Sequence, residues 1–337
     1  MTKRSILGLM YSLQGLRSLG EDVAPVLARH GLDLDRIDPS ARIDRTLELR
    51  IHCEVAEVLR DPLAGLKSGR HFSFAGYGPL SMLLITCANA GEAFACGVRY
   101  QRLTYLYSSL SFLPGDPLSA LCLEPPPLPG RAFRFRVDGE MSGTYKLIRD
   151  IQASIGVDLR PQRVDLPYPR PLEAAAYESH FGCPVQWGET QARFWFRREL
   201  LQLRFPAHDP ATHALYRRLC DEQLVEQLQS PDRLAEQVRN CLQLFDDRAP
   251  SAARVARYFG LAERTLRRRL AEEGLSFRAL AAEARYRKAR ELLEHSRLSI
   301  EAISDQLGYA EPAAFIHAFQ RWAGRSPQRY RSAKPSA

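Results

Sequence analysis

No stretch of this 337-residue chain reaches about eighteen consecutive apolar residues, so the sequence offers no membrane-spanning helix. The opening residues 1–10 are basic then apolar, but the run is short and Gln14, Arg17, Glu21 and Asp22 follow closely. They are expected to start an amphipathic helix of a cytoplasmic protein, not a secretory signal. Cysteine is present without order: Cys53, Cys87, Cys96, Cys122, Cys183, Cys220 and Cys241 contain no C-x-x-C pair. That argues against a disulfide framework or a zinc site and for reduced, buried thiols. A nucleophile elbow, a phosphate loop and a dinucleotide fingerprint are all lacking. His180 and Cys183 stand one helical turn apart only if the helix continues, and Gly182 argues that it stops. The expectation is a chain that is not an enzyme and needs no cofactor or metal.

Net charge is also missing from most of the chain. Residues 1–249 hold 30 Lys and Arg against 30 Asp and Glu, whereas residues 250–337 hold 17 against 9. The whole excess of +8 therefore sits in the last quarter. A neutral body with a basic C-terminal module suggests a polyanionic partner for that module, although a solvated basic face with no partner would look the same.

Along the chain, Leu16, Leu19, Val23, Val26 and Leu27, then Val55, Val58 and Leu59, recur at helical spacing, and Asp61-Pro62 breaks the second run. Residues 80–107 read as mainly helical. Short apolar or alternating runs at 106–113, 118–123 and 132–137 read as antiparallel strands, and 139–155 as a helix. Strands at 163–166, 185–187 and 192–196 and a helix at 171–181 complete an α+β domain, placed at residues 1–209. Residues 210–249 are expected to form a helical linker or dimerisation segment. Leu215, Leu219, Leu224 and Leu228 make one stripe and Leu234, Val238, Leu242 and Phe245 another, broken by Ser230-Pro231-Asp232. Such stripes fit core packing or a homodimer seam. The polar stretch 246–250 marks the boundary before an all-α domain at 250–332.

That last domain repeats itself. Ser251, Val255, Ala256, Phe259, Gly260 and Leu261 correspond to Ser299, Ile303, Ser304, Leu307, Gly308 and Tyr309, offset by 48 residues. Each copy reads as a short helix with serine at its N-cap and glycine at its C-terminal turn. A second helix follows each time, near 263–273 and near 312–322. These are two helix-turn-helix units. Leu266 and Leu270 face inward in the first and Phe315 and Phe319 in the second, leaving Arg264, Thr265, Arg267 and Arg268 on the remaining faces of the first. An unbroken helical pattern at 277–295 joins the units; about 19 residues span about 28 Å. Successive major grooves on one face of B-DNA lie about 34 Å apart, a separation that a rigid connector of this size can set.

The run Phe315, Phe319, Arg321, Trp322, Gly324, Ser326, Pro327, Tyr330 and Arg331 resembles the C-terminal signature of AraC/XylS-family transcription regulators. So does the run from Gly260 and Leu261 through Arg264, Thr265, Leu266, Arg267, Arg268 and Leu270 to Glu273, Gly274, Ser276 and Phe277. The resemblance implies a seven-helix DNA-binding domain, double-stranded DNA and RNA polymerase as partners, and Pro312, Ala313, His317 and Arg321 as further DNA-facing positions. The chain departs from the family at His317, where arginine is usual, and at Gln320, where lysine is usual. Residues 20–210 resemble the arabinose-binding-like N-terminal domain of ornithine- and fatty-acid-responsive members. The signs are Asp61-Pro62 with Gly65, Leu66 and Gly69, the loop Gly76–Gly78, Ala175, Tyr177, Phe181 to Val185, and His208 to Pro210. The implied function is a sequence-specific transcription regulator whose first domain binds a small effector or serves as a ligand-free interaction module. For an effector, Phe72, Phe74, Tyr77, Tyr100, Tyr105, Tyr107 and Phe112 are candidate apolar walls or plain core. Arg99, Arg102 and Lys146 are candidate partners of an acid.

Overall fold

The protein is described by a computed structural model covering residues 3–228, 234–243, 251–259, 261–296 and 298–332. The expected break at Ser230-Pro231-Asp232, the expected boundary at 246–250, Phe245 and Gly260 lie outside the described residues. The chain forms two compact units, one of residues 1–126 with 130–231 and one of 127–129 with 232–337.

The first unit opens with β1 (Lys3–Ser5), α1 (Leu7–Ser18), α2 (Ala24–Arg29), β2 (Arg42–Asp44), α3 (Arg45–Val58), α4 (Ala64–Ser68), α5 (Pro79–Ile85) and α6 (Ala90–Arg99). There follow β3 (Ser109–Leu113), β4 (Leu118–Glu124), α7 (Gly130–Ile155), β5 (Arg163–Leu166), α8 (Ala174–Phe181), β6 (Val185–Trp187), β7 (Ala192–Arg197), α9 (Arg198–Leu201) and α10 (Pro210–Leu228). β1 and β2 form a small antiparallel ribbon. The main sheet has the order β3-β4-β7-β5-β6, antiparallel except for the β5–β6 pair, which α8 connects. Leu121, Leu123, Val164, Phe194 and Phe196 from the sheet share a core with Val137, Met141, Ile148 and Ile151 of α7.

Helix α7 corrects the sequence reading at 132–137. Phe133, Phe135 and Val137 alternate with Arg134, Arg136 and Asp138, which is the pattern of a half-buried strand. The segment is instead the start of a 26-residue helix in which residues 135–145 are all buried, the charged ones included. Those charges are paired. Arg136 donates to Glu140 at 2.6 Å and to His52 Nε2 at 3.2 Å. Glu140 also accepts the backbone N–H groups of Tyr107 and Ser108 at 2.8 and 3.0 Å. Glu48, on α3, takes Arg4 at 2.6 Å and the Tyr107 hydroxyl at 2.8 Å. Asp138 accepts the hydroxyls of Tyr168 and, at 2.7 Å, Tyr177. Because each buried charge has a partner, residues 135–145 can be buried all round, and an amphipathic stripe remains only in the later part of the helix, where Ile148, Ile151 and Ile155 are buried and Arg149, Ala153 and Ser154 exposed.

The glycines of the Asp61-Pro62 motif have a packing role here. A Cβ on Gly65 would stand 2.5 Å from the Phe135 carbonyl, and one on Gly69 2.5 Å from the Ser142 side chain. α4 and the turn after it therefore approach α7 more closely than any other residue type permits.

Residues 210–249 do not form one linker. α10 lies with the first unit and packs on α5, burying His213 and Cys220, while Leu215 is 53% exposed. The next helix, α11 (Leu234–Gln243), lies with the second unit. The face that α10 buries carries His213, Tyr216, Cys220 and Leu224; of the leucine stripe Leu224 packs on the core, Leu219 is half-buried and Leu215 is exposed.

The buried ionisable groups make acid the natural denaturant of the first unit. Burial, and then the Arg136 charge, push the His52 imidazole down to about 4. Burial by itself would raise the carboxyls of Glu48 and Glu140, but Arg4 and Arg136 respectively outweigh it and hold both below the usual range. Unfolded imidazole takes up its proton near pH 6.5. The stability tied to neutral His52 is therefore complete above pH 6.5 and lost as pH falls toward 4, and the carboxylate contribution follows below about pH 4.5. His180, pushed down to about 4 by burial and then by Arg70, adds to the first phase. Asp138 acts oppositely: burial pushes its carboxyl up to about 7 despite the Tyr168 and Tyr177 hydroxyls, so proton uptake there favours the folded state as pH falls from 7 to about 4. Two imidazoles against one carboxyl leave a net fall of the first unit's melting temperature from pH 6.5 to about pH 4.5. His52→Gln, which keeps an acceptor for Arg136, should flatten that slope, and a slope identical to the parent's would show that His52 does not cause it.

Candidate nucleic-acid interface and ligand cavity

The second unit comprises α11, α12 (Ala252–Tyr258), α13 (Glu263–Glu272), α14 (Phe277–His295), α15 (Ile300–Gln306), α16 (Pro312–Ala323) and α17 (Pro327–Ser332). Its two helix pairs close alike. Ser251 Oγ caps the Arg254 N–H at 3.3 Å, and Ser299 Oγ caps that of Ala302 at 3.1 Å. At the far ends Leu261 N donates to the Ala256 carbonyl at 2.9 Å and Tyr309 N to that of Ser304 at 3.1 Å. Gly308, at φ 75°, makes the left-handed turn that the second copy needs.

Each pair has its own core. Val238 and Leu242 of α11, Val255 of α12, Leu266 and Leu270 of α13 and Leu280 of α14 form the first. Leu293 of α14, Ile303 of α15 and Phe315 and Phe319 of α16 form the second. Glu273, just past α13, accepts the N–H groups of Leu234 and Ala235 at 2.9 and 3.1 Å and so caps α11. Arg239 of α11 adds a 3.1 Å bond to Glu283 of α14.

With Leu266 and Leu270 buried, α13 turns Arg264, Arg267, Arg268 and Arg269 to solvent, and Thr265 is half-buried. Arg267 pairs with Glu263 at 2.6 Å and Arg268 with Glu272 at 3.1 Å; these are exposed one-turn pairs, which phosphates or base edges can replace at little cost. Arg264 has no ion-pair partner among the described residues. On α16 the exposed face carries Ala313, His317, Gln320 and Arg321, while Pro312 is half-buried at the first turn. The expected DNA-facing residues thus all fall on two second helices, apart from their buried apolar faces.

The first unit holds a narrow apolar cavity of about 60 Å³. Leu80, Leu84, Phe94, Leu110, Ile148 and Phe205 form much of its wall, with Tyr77, Thr104 and Thr144 as its polar members. Of the sequence candidates only Tyr77 is in this wall; Tyr105 packs against it at a tilt, ring centres 4.6 Å apart. Tyr100 and Tyr107 are plain core at 0% and 1% exposure. The basic candidates lie elsewhere. Arg99 pairs with Asp221 at 2.9 Å, Lys146 with Asp150 at 2.6 Å, and Arg102 is exposed. The wall contains no charged residue because Leu147 and Ile148, not Lys146, face it. Sequence reasoning also missed a meeting of Cys87, Cys96 and His213, which no short spacing signals.

Residues 20–205 match the family described as the arabinose-binding domain of AraC transcription regulators, N-terminal, and residues 255–333 match a helix-turn-helix domain. The chain belongs to the AraC family. As an AraC-type protein it is a DNA-binding transcription regulator. It is 28% identical to the transcriptional regulator VqsM of Pseudomonas aeruginosa over 276 residues, 80% of this chain and 83% of that one. It is 27% identical to the ornithine utilization regulator of the same organism over 274 residues, 81% and 79% of the two chains. The crystal structure of the regulator CdpR from Pseudomonas aeruginosa aligns over 92% of this chain and 96% of its own, at 26% identity and a TM-score of 0.46. Among the described residues no helix is long and apolar enough to cross a membrane.

The core of this AraC-type domain extends upstream of residue 250, because α11 covers Leu266 and Leu270. A fragment of residues 232–337 should therefore unfold cooperatively, whereas one of residues 250–337 should be less stable by roughly 3–6 kcal/mol, the burial of Val238 and Leu242 being lost. Urea denaturation followed by circular dichroism measures this. Equal midpoints for the two fragments would mean that α11 is dispensable.

Proposed function

We propose that this regulator reads its operator chiefly through α13 and is controlled by a mostly apolar small molecule held in the cavity of its first unit. The observation that carries the ligand reading is the wall itself: aliphatic and aromatic side chains with three hydroxyls and no charge. Such a wall favours an aliphatic or aromatic body bearing one or two hydrogen-bonding groups. It does not favour a free amino acid or a sugar, whose desolvation it would not offset. A cytoplasmic homodimer that contacts RNA polymerase completes the reading, with the exposed Leu215 and Val225 of α10 as the dimer face.

Filling the cavity tests it. Ile148→Trp should abolish the rise in melting temperature that apolar acids, alcohols and lactones of graded chain length give the parent, while leaving operator binding intact. If no compound of that set raises the parent's melting temperature, the first unit is a ligand-free interaction module instead.

For DNA, Arg264 and Arg268 are proposed to reach base edges. An arginine bonding guanine O6 and N7 in bidentate fashion is worth about 1–3 kcal/mol of discrimination. Arg264→Ala or Arg268→Ala should relax specificity at one or two base pairs, with a smaller loss on random DNA; equal losses on both would demote the residue to a phosphate contact. On α16, His317→Arg should tighten binding at pH 8 and steepen the salt dependence by about one counterion. An unchanged salt slope would place His317 away from the backbone.

A further inference from the structure

Three side chains far apart in the sequence meet inside the first unit. Cys87 follows α5, Cys96 lies in α6 and His213 sits in the first turn of α10. One ligand atom from each lies within 4.8 Å of the other two, and the two sulfurs are 3.9 Å apart. This is close to the edge of a tetrahedron around a metal: two Zn–S bonds of about 2.3 Å set their sulfurs about 3.8 Å apart. It is far from the roughly 2.05 Å of a disulfide. Cys87 is buried and Cys96 half-buried.

A second observation points to a ligand. His213 is 9% exposed, and its Nδ1 is buried without a hydrogen-bond partner among the described residues. A buried polar atom left unpaired is costly, and a bound cation is one way to satisfy it. The other ring nitrogen, Nε2, lies 3.7 Å from Glu92 Oε1. Glu92 is itself fixed, accepting the Ala88 N–H at 2.6 Å. A carboxylate behind an imidazole whose other nitrogen is free is the usual support of a metal-bound histidine.

We propose that Cys87, Cys96 and His213 bind a thiophilic d¹⁰ cation, zinc in the first instance, with Glu92 orienting the imidazole. Two thiolates and an imidazole suit zinc and reject magnesium and calcium, which need oxygen donors. Binding forms two metal–sulfur bonds and one metal–nitrogen bond. Two thiol protons pass to solvent, and no electron is transferred. The fourth position stays open to water. The ion would cross-link α10 to α6 and to the turn after α5, three segments held otherwise by packing, a few hydrogen bonds and the exposed Arg99–Asp221 ion pair.

The test uses the full chain, reduced and stripped with a chelator, then titrated with cobalt(II) and afterwards with zinc. One equivalent of cobalt should give thiolate charge-transfer bands and the visible bands of a tetrahedral site, and zinc should displace it. Zinc should protect Cys87 and Cys96 from alkylation, read by peptide mass spectrometry, and leave the slower alkylation of half-buried Cys183 unchanged. Cys87→Ser, Cys96→Ser and His213→Gln should each weaken binding by more than about 100-fold and Glu92→Gln by about 10- to 100-fold. Cys183→Ser should change nothing. Should the site variants not fold, the protection pattern on the parent chain decides. The proposal is overturned by absent cobalt bands, by bands unchanged in folded Cys96→Ser and His213→Gln, by protection spread over other thiols, or by a Cys87–Cys96 disulfide in a chain that takes up no metal.

Discussion

Helix α14 gives side chains to two cores, and the arrangement of the DNA-binding unit depends on that division. Phe277, Leu280, Ala281 and Ala284 enter the first core, and Ala289 and Leu293 the second. Leu280 and Leu293 are thirteen residues apart, about 20 Å along a helix. Neither helix pair can slide along α14 without withdrawing these residues and opening a cavity, at about 2–5 kcal/mol for each large side chain. The separation of α13 from α16 is therefore set by packing and is not left to the DNA to impose. On the proposed reading, a protein built this way discriminates operators by half-site spacing as well as by base identity.

The first unit rests on an opposite device. α7 runs through its interior with Arg136, Asp138 and Glu140 buried on it, and other segments answer them: His52 of α3 at Arg136, the 107–108 backbone at Glu140, Tyr168 and Tyr177 at Asp138, while Arg4 and Tyr107 do the same for Glu48 on α3. Removing one partner strands a buried charge, which costs more than the pair contributes. These groups thus specify how α3, α7 and the 104–108 segment fit together more than they add to net stability. The apolar cavity sits beside this polar core, and the charges near it are already engaged.

How far the sequence discloses all this follows from the same physics. The helix-turn-helix repeat was legible because serine caps, turn glycines and inward apolar residues are local signals, and they recur at a fixed offset. Strands 163–166, 185–187 and 192–197 were legible by alternation against turns. The start of α7 was not, since alternation of Phe133, Phe135 and Val137 with charged residues assumes that charge means solvent, and here it does not. α10 was legible only in part: Leu224 packs on the core as a stripe leucine can, but the most buried positions are His213 and Cys220, which no apolar periodicity marks. The meeting of Cys87, Cys96 and His213 depends on tertiary packing across more than a hundred residues, and no spacing rule reaches that far. The effector cavity shows the same limit: Lys146 and Ile148 are two residues apart, and only the helix's rotation decides which of them meets the cavity.

The two DNA-facing helices are chemically unequal, and on the proposed reading this divides the labour between them. α13 presents four arginines, two of them held by glutamates one turn away. Those glutamates lower the local charge in the free protein and keep the guanidinium groups extended along the helix. On DNA the phosphates and base edges take their place, so an exposed pair worth little is exchanged for contacts in a groove of strong negative potential. α16 presents Ala313, Ala314, His317 and Gln320, with Arg321 toward its end. Small residues at its start permit close approach to the groove floor, where a methyl can meet thymine, but they supply no counter-charge. Affinity and its salt dependence then come mainly from α13, while α16 contributes shape and spacing. Because α14 fixes the distance between them, a weak second contact still counts, since its search is already restricted once α13 has bound.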